Sequence, residues 1–343
     1  MATIRNRILR RVARRLVRSR LAQAAVARPC NARGDVLDPA VAVMLAVERR
    51  TGKPPTPQTP IADRRAAMVE SCWLAGSDPM AVAVRDGTIG TEPSYRVRYY
   101  EPPTATAALV FLHGGGWAVG DLDTHDSLCR RLAIASNRVV VAVDYPLAPE
   151  HRWPGPIHSV VDAYRALHPQ LSARFEHIGI GGDSAGGNLA TSACRLLRAD
   201  GPLPDVQLLI YPGLDATRST ASHREFADGF LLTEEGIGYY LDTFGPDPLH
   251  PLGSPGLADD LEGLPAAIIA VAGFDPLRDE GLLYADRLQR AGIEVALFDF
   301  PGMVHGFANM DGLIDRAADH VDSLGRAIFI RSNGSQHEAQ ARS

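Results

Sequence analysis

The sequence is almost without lysine: Lys53 stands alone and every other residue of that charge type is arginine, which reads as a codon bias of the source rather than a mechanism. Cysteine is scarce too. Cys30, Cys72, Cys129 and Cys194 lie far apart, with no C-x-x-C pair and no paired histidine spacing. That excludes a disulfide framework and a metal site of the zinc type, and it suits a reducing, cytoplasmic compartment. No apolar run approaches the roughly eighteen residues of a membrane span. The formal charge of −5 calls for neither nucleic acid nor an acidic ligand. No Gly-Lys-Ser/Thr follows the glycine run at 114–116, and no dinucleotide fingerprint with an acidic partner occurs, so phosphate and dinucleotide loops drop out. What remains is an ordinary globular composition, 45 % apolar and 22 % charged, in 343 residues. One large α/β fold with an insertion accommodates that length.

Charge is uneven at the start. Arg5, Arg7, Arg10, Arg11, Arg14, Arg15, Arg18, Arg20 and Arg28 precede the first acidic residue, Asp35. Ile4, Ile8, Leu9, Val12, Leu16, Val17 and Leu21 recur among them at helical spacing, so residues 1–28 are expected to form a basic amphipathic helix. Such a helix either touches an anionic membrane surface peripherally or packs on the body of the protein, and the second is favoured. Asp38 caps a helix through Arg50 with Pro39 at its first position, the proline-rich 53–60 breaks it, and Ile61–Ala75 forms another, stopped by Gly76. Both precede any strand and read as a lid. Period-two stretches at Ala81–Arg85 and Tyr95–Tyr100 read as antiparallel edge strands. Continuous apolar runs follow at Ala108–Leu112, Val139–Val143, Ile178–Ile180, Val206–Tyr211, Ala266–Ala272 and Val295–Phe300. Helical segments at Ser127–Ala135, Ile157–Leu167, Ala185–Leu197 and Gly281–Ala291 separate most of them. This alternation predicts an α/β fold with a mostly parallel eight-stranded sheet. The expected organisation is a basic helix and cap helices over 1–78, core over 79–214, a cap insertion over 215–264, core again over 265–331, and a tail over 332–343.

The chemistry gathers at strand ends. Gly182-Asp183-Ser184-Ala185-Gly186 lies between an apolar strand and a helix, the form of a nucleophile elbow. Asp275 follows Ala266–Ala272 with two residues between, and His305 follows the last strand, giving the order Ser, Asp, His of a catalytic triad. Asp279 is the runner-up acid. Most of the other histidines, His125, His168, His177, His223 and His337 among them, read as surface residues. His113-Gly114-Gly115-Gly116-Trp117 follows Ala108–Leu112, and the N–H groups of Gly115, Gly116 and Ala185 are expected to form an oxyanion hole. Trp117, Tyr211 and Phe230 suggest an apolar acyl pocket, although ordinary core packing explains any one of them equally well.

These motifs resemble the hormone-sensitive-lipase-like (family IV) bacterial carboxylesterases: His113–Trp117, Gly-Asp-Ser-Ala-Gly-Gly-Asn-Leu-Ala at 182–190, Asp-Pro-Leu-Arg-Asp-Glu at 275–280, and His305-Gly306-Phe307. The resemblance runs from about Ala81 to Phe329. It implies an α/β-hydrolase fold, no cofactor, a lid made from the N-terminal helices and an insertion after the sixth strand, and hydrolysis of small-molecule esters with short to medium acyl chains. It also implies that Ser184 is the nucleophile, His305 the base and Asp275 its orienter, with His113 bracing the glycine loop. One departure is Pro146, where the family usually has arginine, which calls into question a structural ion pair under the site rather than any catalytic step. An amide or formamide hydrolase, a true lipase and a non-catalytic receptor on the same fold are the alternatives, and a homodimer is left open.

Overall fold

The computed structural model describes residues 4–341, apart from 53, 54 and 57. In chain order α1 (Ile4–Val17), α2 (Arg20–Ala25), α3 (Pro39–Thr51) and α4 (Ile61–Ala75) precede the first strand. Then come β1 (Ala83–Ile89), β2 (Tyr95–Glu101), β3 (Ala107–Leu112), α5 (Asp126–Ser136), β4 (Arg138–Asp144), α6 (Gly155–Ser172), β5 (Ile178–Asp183), α7 (Ala185–Asp200) and β6 (Val206–Ile210). The chain closes with α8 (Ala221–Glu225), α9 (Glu234–Phe244), β7 (Ala266–Phe274), α10 (Arg278–Arg290), β8 (Val295–Val304) and α11 (Asp315–Ala341).

The strands form one eight-stranded sheet in the order β1-β2-β4-β3-β5-β6-β7-β8. β1 and β2 are antiparallel to their neighbours and the rest are parallel. Every residue of β3 is buried. Ala108, Val110 and Leu112 enter the core on one face, and Leu109 and Phe111 enter the core on the other. A strand covered on both sides needs such an unbroken apolar run. β1 begins two residues later than its pattern suggested and continues to Ile89, because Arg85 and Asp86 are held by cross-strand pairs to Glu101 and Arg98.

The two N-terminal helices expected as a lid part ways. Asp38 caps α3, accepting from the N–H of Ala40 at 2.8 Å, but α3 buries Val41 and Leu45 in the same core as Phe300 and Met303 of β8, away from the sheet edge at which Ser184 emerges. Only α4 lies over that edge. The basic segment divides into α1 and α2 at Ser19. Its inward face carries arginines beside the buried Val17. Arg10, Arg14 and Arg18 turn inward to the carbonyls of Gly76 and Gly312 and to Asp78 and Asp315. Gly76 closes α4, so the first two arginines complement the negative end of its dipole. Ile8, Leu9, Val12, Leu16 and Leu21 are left exposed.

After the last strand, Ala317, Val321, Leu324 and Ile328 bury one stripe of α11. The helix continues to Ala341 through the segment read as a tail. His337 lies outside the residues whose side chains are described.

Candidate active site

β5 runs straight into Ser184, which adopts φ 54° and ψ −119° before α7 begins. That left-handed conformation is costly for a residue with a side chain and lifts the hydroxyl out of the sheet. The turn closes only because its neighbours are bare: a Cβ at Gly186 would stand 2.0 Å from the Leu112 carbonyl oxygen. Asp275 follows β7 and His305 follows β8, so the three side chains meet at the carboxyl edge of the sheet. His305 Nε2 lies 2.9 Å from Ser184 Oγ. His305 Nδ1 lies 2.8 Å from Asp275 Oδ2. Asp275 is fully buried, and its other oxygen accepts from the Leu277 N–H at 2.9 Å. Asp279 faces elsewhere, bound to Arg278 and to the Ser222 N–H.

The glycine loop is built around backbone. Gly115 holds φ 121°, and a Cβ there would stand 2.2 Å from the Val119 carbonyl oxygen. The N–H groups of Gly115 and Gly116 bond no acceptor among the described residues, and that of Ala185, first in its helix, has none within the helix. Behind the loop His113 is buried and stacks on Tyr145 at 4.4 Å. Its Nδ1 is 2.8 Å from the Gly114 carbonyl, which can only accept, so that nitrogen carries the proton. Burial, with His125 nearby, lowers the His113 pKa to about 4. Asp183 joins loop to elbow: it accepts from the Gly114 N–H at 2.8 Å and pairs with His125 Nε2 at 3.1 Å.

These groups open onto a cavity of about 320 Å³. α4 roofs it with Met68, Ser71 and Cys72, and the segment between β6 and β7 adds Leu231 and Tyr240. Arg65 of α4 fastens the roof. Its guanidinium donates to the carbonyls of Ala118 and Ala148 at 2.9 and 3.1 Å and grips both oxygens of Glu150 at 2.9 and 2.7 Å. Glu150 therefore has an arginine partner despite the proline at 146.

Trp117 lines the cavity and stacks on Phe244 at 4.6 Å. Tyr211 does not line it: the ring is buried behind His305, with centroids 4.7 Å apart. Phe230 is not in it either. It packs against Phe226 and Phe274 and lines a separate hollow beside Leu37, because that apolar insertion must cover the core as well as the site. Two histidines read as surface residues are interior. His125 is 1 % exposed beside Asp183, and His223 is 2 % exposed in the cavity wall. A histidine cannot be told from a solvated one by its sequence neighbours when its burial comes from distant elements. All four cysteines are free thiols, and no cluster of three or more metal-ligating side chains occurs among the described residues. Nor is any described helix long and apolar enough to cross a membrane.

Residues 109–309 match a protein family described by its α/β-hydrolase fold. A carboxylic ester hydrolase of Mycobacterium tuberculosis, LipN, is 41 % identical over 294 residues, covering 81 % of this chain and 78 % of its own. The chain belongs to the hormone-sensitive-lipase-like α/β-hydrolases. An ethyl acetate hydrolase of Pseudomonas putida is 36 % identical across 74 % of this esterase and 85 % of its own length. Among solved structures, an ester hydrolase from the Lake Arreo metagenome, complexed with a bipyridine phosphonate derivative, superposes with a TM-score of 0.82 at 35 % identity. It covers 86 % of this chain and 99 % of that one. The esterase is thus a serine carboxylesterase by family, and its hydrogen-bonded serine, histidine and aspartate have the arrangement that moves a proton off a hydroxyl.

Proposed function

We propose that Ser184 attacks the ester carbonyl while His305 takes its proton, with Asp275 holding the imidazole. The tetrahedral oxyanion rests on the N–H groups of Gly115, Gly116 and Ala185. His305 then protonates the leaving alcohol, and water reverses the sequence on the acyl-enzyme. The observation that carries this reading is the unbroken chain Ser184–His305–Asp275 at 2.9 and 2.8 Å. Short to medium acyl chains are the proposed substrates, since about 320 Å³ stands at the low end for ligand cavities. Ser184→Ala is expected to reduce p-nitrophenyl butyrate turnover by roughly a thousandfold or more. An unchanged rate would refute the mechanism, and a rate maximum at palmitate in an acetate-to-palmitate panel would refute the chain-length reading.

The outward face of α1 supports a peripheral contact with an anionic membrane. Ile8, Leu9, Val12 and Leu16 are exposed beside the exposed Arg7, Arg11 and Arg15, which is the pairing of apolar and basic groups that such surfaces bind. Sedimentation with phosphatidylserine vesicles is expected to exceed that with phosphatidylcholine and to fall when residues 1–28 are deleted. Binding that survives the deletion excludes the contact.

A further inference from the structure

One wall of the cavity is polar in a way that ester cleavage does not use. His223 lines the same space as Ser184 and His305. It is 2 % exposed, and neither of its ring nitrogens has a hydrogen-bond partner. The closest carboxylate, Glu234, stands 3.8 Å from Nδ1, beyond hydrogen-bond reach, and is already held by Arg218 at 2.7 Å. Burial pulls the imidazole below its ordinary pKa against the opposing pull of Glu234, Asp215 and Asp275, with Arg218 adding to the lowering. The ring is therefore neutral, with one nitrogen a donor and the other an acceptor.

Two acidic residues share this wall. Asp215 is satisfied locally, by the N–H and hydroxyl of Thr217 and the hydroxyl of Ser219. Glu280 is not. It is 4 % exposed, and burial, reinforced by Asp215, pushes its carboxyl well above the ordinary range despite the backbone N–H groups of Leu214 and Asp215. A buried carboxyl group, neither of whose oxygens makes a well-formed hydrogen bond, thus stands on the wall with the imidazole. The backbone that carries His223 is anchored, since the preceding Ser222 donates its N–H to Asp279 at 2.9 Å and its hydroxyl to the Pro276 carbonyl at 2.6 Å.

Donor and acceptor capacity left unpaired on a buried wall is met only by what enters the cavity. An alkyl chain offers neither. An anion is disfavoured by the carboxylates of Asp215, Glu234 and Asp275 around the ring. A hydroxyl offers both a donor and an acceptor without charge. We infer that His223, with Glu280, forms a polar subsite that binds a hydroxyl carried by the substrate away from the scissile ester, so that the enzyme prefers hydroxylated esters to plain alkyl ones. This rests on Ser184 being the nucleophile of the same cavity.

Matched pairs test it: p-nitrophenyl butanoate against its 3-hydroxy analogue and p-nitrophenyl hexanoate against its 6-hydroxy analogue on the acyl side, with propyl against 3-hydroxypropyl butanoate on the alcohol side. Wild type is expected to show at least a tenfold higher kcat/KM for the hydroxylated member of one pair, mainly through KM. His223→Phe should bring that ratio close to one, and His223→Gln, which keeps a donor and an acceptor, should retain part of it. Because the ratio is taken within each variant, loss of folded protein cancels. Wild-type ratios near one in every pair, or a preference that His223→Phe leaves intact, overturn the subsite. Hydrolysis that persists in Ser184→Ala overturns the underlying reading instead.

Discussion

Asp183 accepts a 2.8 Å hydrogen bond from the N–H of Gly114, a residue 69 positions earlier in the chain. One carboxylate therefore sets the distance between the serine's turn and the loop of free N–H groups. Burial works against its ionisation, but His125 and the Gly114 N–H outweigh that and hold its pKa below the ordinary carboxylate value. Asp183→Asn keeps an acceptor but loses the charge, so the loop should relax away from the serine. Misplacement on the ångström scale is enough to cost about a hundredfold in rate. Steady-state kinetics should show kcat down by about ten- to a hundredfold with KM little changed, and a kcat equal to wild type would show that the carboxylate sets nothing.

His113 makes stability depend on pH. The unfolded chain takes up this proton near 6.5, whereas the folded chain does so only near 4. Between those values the unfolded state binds more protons, so stability falls as pH drops through the interval and levels off below it. The full effect is about 3 kcal/mol. His223 and His320 are also held low by burial and act in the same direction, so the informative quantity is a difference. Melting temperatures at pH 7 and pH 4.5 should converge between wild type and His113→Asn as the pH falls. Parallel losses in the two proteins would contradict this account.

Gly116 is the second glycine under load. It holds φ 55°, and a Cβ there would stand 2.3 Å from the Tyr240 ring. Gly116→Ala should force the loop or the tyrosine to move and cost on the order of a hundredfold in kcat, the scale of losing one oxyanion donor. Tyr240→Ala in the same chain removes the clash but not the backbone strain, so it should recover part of the rate. No recovery in the double variant would assign the whole loss to the backbone.

The sheet was legible because its parallel strands are covered on both faces and so spell out unbroken apolar runs, as at Ala108–Leu112. Ser184, Asp275 and His305 were legible because each lies within a few residues of the end of such a run. The walls of the cavity were not. Phe230 and Tyr240 come from one apolar insertion, and only the folded backbone decides that Tyr240 faces Gly116 while Phe230 packs on Phe274. His125 and His223 looked solvated because the groups that bury them lie far off in the chain. α11 was missed although Ala317, Val321, Leu324 and Ile328 carry a helical period, since its polar continuation hides the stripe.

The hold of Arg65 on the carbonyls of Ala118 and Ala148 and on Glu150 ties entry to turnover. Its anchorage reaches the very segment that presents the free peptide donors, so lifting the roof to admit a bulkier ester slackens those donors as well. Widening the mouth by trimming α4 would therefore trade rate for scope, and a roof transplanted from a relative would need its own clasp at the same carbonyls.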